Sequence, residues 1–584
     1  MQRNLLVNMP RTISQSHCKF PAIIWSDLLI ITLIMAIGLS LYGVPVLFSP
    51  DEGRYAEIAR EMLANHQYIV PYLDGVIYFE KPPLMYWLVA LSLKIFGLNE
   101  WAARLPNPLL SLIGVWLVYI ASIIVYKSRR VGLWSAIISG TSLLYLGTAR
   151  YLNLDAGIAF FITATMLCFW VSQQYNKNLK SHLWIFAAFA FAGLAVMTKG
   201  LIGIVFPMMI VGLWSMITCQ WKILQDIRLY LGLIIVVIIA VPWIIAVNNH
   251  HPEFWYYYIV VQQILRYVTD EQGRQMTKLL YFGIAIIGFF PWFGFLPQAI
   301  QQVMTQWKTR HSSANNWFLL IWGGSILLFF AFSQSILTGY LMPIIVPFSI
   351  LIARYLDTII NQTKLPYTAK LSIIAALILF AILAIGFIII PFIPQFSMFF
   401  IEIACYYWPA AIIAILVVIF GGRWLCQNDL KSIMLLFTAA IAIIVNLSFC
   451  GAEYLAQKTV KPLTTILLPL LKTHPNAIVA NYGEYFYDGQ FYLNRLTWIV
   501  DNPGELAETS KMANSGAENS LYHSEEFWPI WDSNNRVFLF MDKDDYRNHF
   551  VSGKQKGYLL GQTPKCFLLT NHPISGKRQR SKHQ

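Results

Sequence analysis

The feature that most limits the fold is a succession of long apolar runs, about thirteen of them, each able to cross the roughly 30 Å of a bilayer's hydrocarbon. They lie near residues 23–47, 107–126, 131–149, 156–175, 183–198, 201–219, 229–247, 279–297, 316–333, 338–356, 370–390, 405–422 and 432–450. No water reaches a backbone inside lipid, so runs of this length must satisfy their own N–H and C=O groups as helices. Composition agrees: of 584 residues, 57% are hydrophobic and only 12% charged, about half the charged share of a soluble domain. The chain reads as a polytopic α-helical membrane protein.

Its basic residues set an orientation. Arg3, Arg11 and Lys19, then Lys127, Arg129 and Arg130, Lys177 and Lys180, Lys222 and Arg228, Lys308 and Arg310, Lys364 and Lys370, and Arg423 and Lys431 all fall on one side. By the positive-inside rule that side is the cytoplasm. The first run lacks a small-residue cleavage site and is read as a retained anchor with a cytoplasmic N-terminus. Beyond it, residues 1–450 form the membrane unit, with outer loops at 48–106 and 248–278. After residue 450 the apolar runs shrink to strand length, at 477–480, 498–500, 537–541, 558–560 and 567–570, between polar helical stretches. Residues 451–575 therefore read as a small α/β domain on the outer, periplasmic side, followed by a disordered basic tail at 576–584.

A net charge of +13 suggests nucleic acid, but the bases are scattered singly through short loops and mass on no face. No GxxxxGK[ST] loop offers an ATP site. The seven cysteines lack CxxC spacing and read as inert. A transporter would carry its charges near the midplane of broken helices. Here they gather at one edge.

That edge is the loop 48–106. In Ser49-Pro50-Asp51-Glu52-Gly53-Arg54, Ser49 can N-cap a helix, Pro50 suits its first position and Glu52 the capping-box site, which holds both acids at a helix N-terminus. Arg54, Glu57, Arg60 and Glu61 continue the helix towards Asn65. Further on, Glu80 and Lys81 are pinned by Pro82 and Pro83 ahead of an amphipathic run from Leu84 to Phe96. Asp155 is a second outer-edge acid, read either as functional or as the N-cap of the fourth span. Arg54, Lys81, Arg150, Lys199 and Arg266 run against the topological trend and are candidate anion ligands, with lipid-headgroup contact as the alternative. A lipid-linked phosphosugar suits the pattern: its tail among the spans, its phosphate on the cations, and a carboxylate facing the sugar carbon. Asp51, with Glu52 beside it, and Asp155 are the candidate catalytic acids.

The runs SPDEGRYAEIAREM, YFEKPPLMYWL and FGLNEWAARLP resemble the first outer loop of the bacterial aminoarabinose lipid A transferases. These belong to the GT-C group of polyprenyl-phosphate-dependent glycosyltransferases, which includes the protein O-mannosyltransferases. The resemblance implies transfer of aminoarabinose or a related sugar from an undecaprenyl-phosphate donor to lipid A at the outer face of the inner membrane. A protein hydroxyl or another glycan is the alternative acceptor. It implies further that Asp51 is the essential loop aspartate, Asp155 the second aspartate, and Glu80 and Lys81 the family's glutamate-lysine pair. Arg54 and Arg266 take the phosphate-contacting places, and Tyr340 lies near the bound lipid phosphate. Two departures stand out. Ser333-Gln334-Ser335 carries no cation where the family has lysines, and Gln262-Gln263 replaces a Glu-His pair whose histidine shares a metal with the glutamate. A divalent metal at Glu80 is therefore left open.

Overall fold

The computed structural model describes residues 24–265, 277–333, 337–456, 459–553 and 555–574. Arg266, residues 334–336 and the basic tail thus lie outside the described residues. Every one of the expected apolar stretches contains a helix. Among the described residues nine helices are long and apolar enough to cross a membrane. The pair Arg129–Thr141 and Leu143–Ala149 is apolar enough together but bent by 61° at the break between them. Trp25–Leu39, Ile202–Ile217 and Lys278–Ile287 are shorter apolar helices. The bend at Ser142 has an identifiable cause: the freed amides of Leu143 and Leu144 donate to Phe290 O at 3.0 Å and Gly288 O at 2.9 Å, so another segment replaces the helix's own carbonyls.

Leu154–Ser172 is the central helix. Of its apolar stretch 94% is buried, against 28% for Ile227–His250, so the first packs among helices on every side and the second mostly faces lipid. Arg129 and Arg130 lie at one end of the bundle. There the buried Asp27 accepts from Arg129 Nη2 at 2.7 Å and from Tyr119 Oη at 2.7 Å, and Arg130 pairs with Asp357 at 3.1 Å.

The loop 48–106 folds at the other end as the helices Asp51–Ala64 and Leu84–Phe96 around a hairpin, β1 (Tyr72–Leu73) and β2 (Val76–Ile77). Its two-residue turn, Asp74-Gly75, has φ of 55° and 79°, the left-handed pair that such hairpins require.

The last long helix, Leu430–Ala456, runs past the expected boundary at 450. Beyond it stands a six-stranded sheet built from β3 (Ile478–Tyr482), β4 (Trp498–Val500), β5 (Leu521–Tyr522), β6 (Val537–Asp542), β7 (Tyr558–Gln562) and β8 (Cys566–Thr570). The strand order is β5-β4-β3-β6-β8-β7, with the first four parallel and β8 and β7 antiparallel. Along β6, Phe538 and Phe540 meet Leu463 and Leu467 of the Lys461–Thr473 helix on one face. Val537, Leu539 and Met541 meet Phe527 and Trp531 of Ser524–Trp531 on the other. Burial on both faces explains why β6 reads as an unbroken apolar run instead of an alternation.

This domain is seated on the loop. A Cβ on Gly53 would lie 2.7 Å from Asp488 N, so only glycine admits that approach. Tyr492 Oη accepts from Leu47 N at 2.9 Å and donates to Glu100 at 3.1 Å. Asp74 accepts from both Thr497 N and Thr497 Oγ1 at 2.7 Å.

Candidate active site

The site starts from how the Asp51–Ala64 helix is anchored. Its N-cap is Pro50, with no side-chain cap, so the expected Ser49 cap is not formed. The reason is Glu52. Fully buried, it accepts from Arg104 Nε at 2.7 Å and Nη2 at 2.6 Å, from Leu152 N at 2.6 Å and from Phe48 N at 2.7 Å. Arg104, equally buried, spends its other donors on the carbonyls of Tyr42, Pro45 and Val46 at 2.6–2.8 Å. Glu52 therefore ties the loop to two membrane segments, and it does not line the cleft described next. Its expected catalytic role gives way to a positioning one.

With Glu52 turned inward, Asp51 faces out; its side chain is 56% exposed and pairs with Arg54. Arg54 is almost wholly buried, pairs also with Glu505 of the C-terminal domain, and lies 4.9 Å from the centroid of the Tyr55 ring. Tyr78 Oη donates to the same Glu505 at 3.2 Å. Asp51, Arg54, Glu80, Lys81, Asp155, Lys199, Tyr340 and Glu505 together line a polar cleft of about 160 Å³. Residues separated by hundreds of positions in the chain thus converge at one end of the bundle.

The opposite wall comes from three membrane helices. Asn153, not Asp155, caps the Leu154–Ser172 helix, its Oδ1 accepting from Ala156 N at 2.8 Å. The carboxylate of Asp155 is thereby left for Lys199, at the C-terminus of Leu179–Lys199, and the two form an ion pair. Lys199 Nζ lies 4.1 Å from the centroid of the Tyr340 ring. Tyr340 is brought in by Gly339, where an added Cβ would fall 2.6 Å from Asp155 Cγ. On the loop side Glu80 and Lys81 are both buried, and Lys81 Nζ donates to Glu80 O at 2.9 Å.

Arg150 is not part of this assembly. Its guanidinium donates to Val445 O at 2.8 Å and to Gly38 O, binding three helix segments together through backbone carbonyls. That use corrects the expectation of an anion ligand there. Gln263 accepts from Leu201 N at 3.2 Å, and Gln262 donates to Tyr257 Oη at 2.9 Å. Among the described residues no group of three or more His, Cys, Asp or Glu side chains is arranged to hold a metal ion. Asp51, Asp155 and Glu505 are each engaged by a cation.

Chemically, the cleft offers an exposed carboxylate beside several buried cations. It suits a reaction in which a hydroxyl loses a proton while an anionic group departs. Glu505 was not legible beforehand, because it follows only a turn-forming Asn502-Pro503-Gly504 and sits far from the loop in sequence.

Comparison with known proteins bears on the same elements. The sequence model of a family described as dolichyl-phosphate-mannose-protein mannosyltransferase matches residues 23–258. An undecaprenyl phosphate-alpha-4-amino-4-deoxy-L-arabinose arabinosyl transferase of Edwardsiella ictaluri is 32% identical over 326 residues, 55% of this chain and 58% of the relative. A second, from Proteus mirabilis, is 29% identical over 313 residues, 53% of this chain and 55% of the relative. The chain therefore spans little more than half the length of these curated relatives in alignment. The crystal structure of ArnT from Cupriavidus metallidurans bound to undecaprenyl phosphate superposes with a TM-score of 0.81 at 23% identity, over 94% of this chain and 98% of that one. The resemblance read from the loop 48–106 thus extends to the fold over 94% of the chain, a multi-pass membrane architecture like that of the ArnT crystal structure.

Proposed function

We infer that the chain is a glycosyltransferase that moves a sugar, aminoarabinose or a related one, from an undecaprenyl-phosphate donor to lipid A at the periplasmic face of the inner membrane. The observation that carries this reading is the cleft itself: the exposed Asp51 carboxylate lines it together with the buried Arg54 and Lys81 and the half-buried Lys199 at one end of the bundle. In the reaction, an acceptor hydroxyl oxygen bonds to the anomeric carbon as that carbon's bond to the phosphate oxygen breaks. The hydroxyl proton passes to Asp51 and the bonding pair leaves with the polyprenyl phosphate. Lys81, Arg54 and Lys199 hold that phosphate as its charge grows, with Tyr340 beside it and Arg266 as a further ligand, so their worth rises towards the transition state.

Orientation follows the basic loops: the N-terminus and the Lys/Arg-rich end face the cytoplasm, and the cleft and C-terminal domain face the periplasm. A second reading keeps the donor and changes the acceptor to a protein hydroxyl, favoured by the match of residues 23–258 to a mannosyltransferase family described as acting on protein.

Lipid A from cells with and without the chain, compared by mass spectrometry, tests the acceptor; lipid A unchanged in mass while a protein gains sugar would favour the second reading. Asp51→Asn tests the chemistry. The change keeps size and removes charge at an exposed position, so the variant should fold and insert normally while transfer falls by about two to four decades. Full turnover in folded Asp51→Asn would refute the reading.

A further inference from the structure

We propose that a second polar cavity, on the far side of Asp51 from the donor cleft, binds the phosphorylated saccharide headgroup of the acceptor lipid. The proposal rests on the glycosyltransfer reading and adds where the acceptor sits. The cavity holds about 180 Å³ and is lined on one side by Ser49 and Pro50, on the other by Glu484, Tyr487, Asn502 and Lys565 of the C-terminal domain.

Its position is the first argument. The two cavities share a wall. Pro50 lines the second cavity while Asp51, the next residue, lines the first; Gly504 and Glu505 are divided in the same way. Tyr487 completes the wall, its ring centroid 5.7 Å from the Arg54 guanidinium carbon. An inverting displacement at the anomeric carbon needs the hydroxyl to arrive from the side opposite the departing phosphate. The cations that suit the phosphate lie within the first cleft, so the acceptor's approach is from the second, and Asp51 at the boundary is placed to take its proton.

Its chemistry is the second argument. The Tyr485 and Tyr487 rings lie 4.2 Å apart, an aromatic surface for the apolar face of a sugar ring. Around it stand an ammonium (Lys565), a carboxylate (Glu484) and an amide (Asn502), the donors and acceptors that phosphate and sugar hydroxyls need. Lys565 and Glu484 are exposed, and neither side chain takes part in a hydrogen bond or ion pair of the fold. Charges that no folding contact employs, turned into a cavity beside the reaction centre, are available to a ligand.

The test uses the full chain in detergent with a polyprenyl-phosphate-linked sugar as donor and lipid A as acceptor, comparing wild type, Lys565→Glu and Lys565→Arg. The apparent KM for lipid A should rise about tenfold or more in Lys565→Glu and recover most of the way in Lys565→Arg, while the KM for donor changes by less than about twofold. An unchanged acceptor KM in Lys565→Glu, with wild type active, overturns the pocket and leaves the glycosyltransfer reading standing. A donor KM that shifts as much as the acceptor KM overturns it as well, by assigning the cavity to the donor. Wild type that transfers to no glycan overturns both.

Discussion

Replacing Glu52 by glutamine separates positioning from catalysis. The carboxylate receives four donors: two from Arg104, one from Leu152 N and one from Phe48 N, all within 2.7 Å. Glutamine offers one carbonyl oxygen for these contacts and turns an NH2 group towards the other two donors. The three carbonyls that Arg104 also contacts carry no net charge, so its guanidinium is left buried without a counter-ion. Breaking a buried pair in this way costs on the order of 3–5 kcal/mol. The thermal transition of the purified protein in detergent, followed by intrinsic fluorescence, should therefore drop by several degrees. Turnover per folded molecule, measured well below both transitions, should stay within about threefold of wild type, because the group faces away from the cleft. An unaltered transition combined with turnover reduced about a hundredfold or more would refute this assignment and return Glu52 to the chemistry.

Three further outcomes follow from the geometry. Lys81→Ala should depress kcat more than donor KM, with Lys81→Arg recovering only part of it, since a planar fork replaces a compact ammonium; unaltered turnover in the alanine variant would remove Lys81 from the phosphate grip. Gly339→Ala forces a methyl group into the Asp155 carboxylate and should lower turnover by about a hundredfold, so wild-type kinetics would show that the Asp155–Lys199 pair is dispensable. Burial raises the pKa of Asp74 from 3.8 to about 7, against the Thr497 hydrogen bonds that lower it and with Glu57 adding to the rise. Its folded pKa exceeds its unfolded one, so its stabilising contribution is complete below pH 3.8 and lost as pH climbs through about 7. Wild type should lose stability relative to Asp74→Asn across that window, and parallel pH profiles for the two proteins would contradict it.

Much of the fold was legible because it depends on local pattern. The apolar runs specified the membrane helices, and five of the six strands of the C-terminal sheet fall on the short apolar stretches read from the sequence. The sixth, Leu521–Tyr522, has two residues and no run to announce it. The hairpin at Tyr72–Ile77 was passed over although Asp74-Gly75 is a strong turn signal between apolar pairs. Its strands are too short for periodicity, and the turn dipeptide was the only available cue. At Asp155 the sequence left capping and function in balance. Asn153, two residues earlier, takes the cap and leaves the Asp155 carboxylate to Lys199.

The single cations near the loop 48–106 mark where local reading stops. Arg54, Arg104, Arg150 and Lys199 are all single basic residues near the ends of apolar segments, and nothing within a few residues of each sorts them. What sorts them is the remote partner. Arg104 and Arg150 reach backbone carbonyls of neighbouring segments, and Arg104 has Glu52 as well, so both hold the bundle together. Lys199 meets Asp155 on the adjacent helix. Arg54 meets Asp51 one helical turn away, a pairing that spacing does suggest, and Glu505, separated from it by 451 positions, which no spacing rule can reach. Glu505 shares the guanidinium that Asp51 also holds. The C-terminal sheet is therefore a structural part of the cleft: Arg54 has its two-carboxylate setting only when that domain is seated on the loop through Gly53, Asp74 and Tyr492.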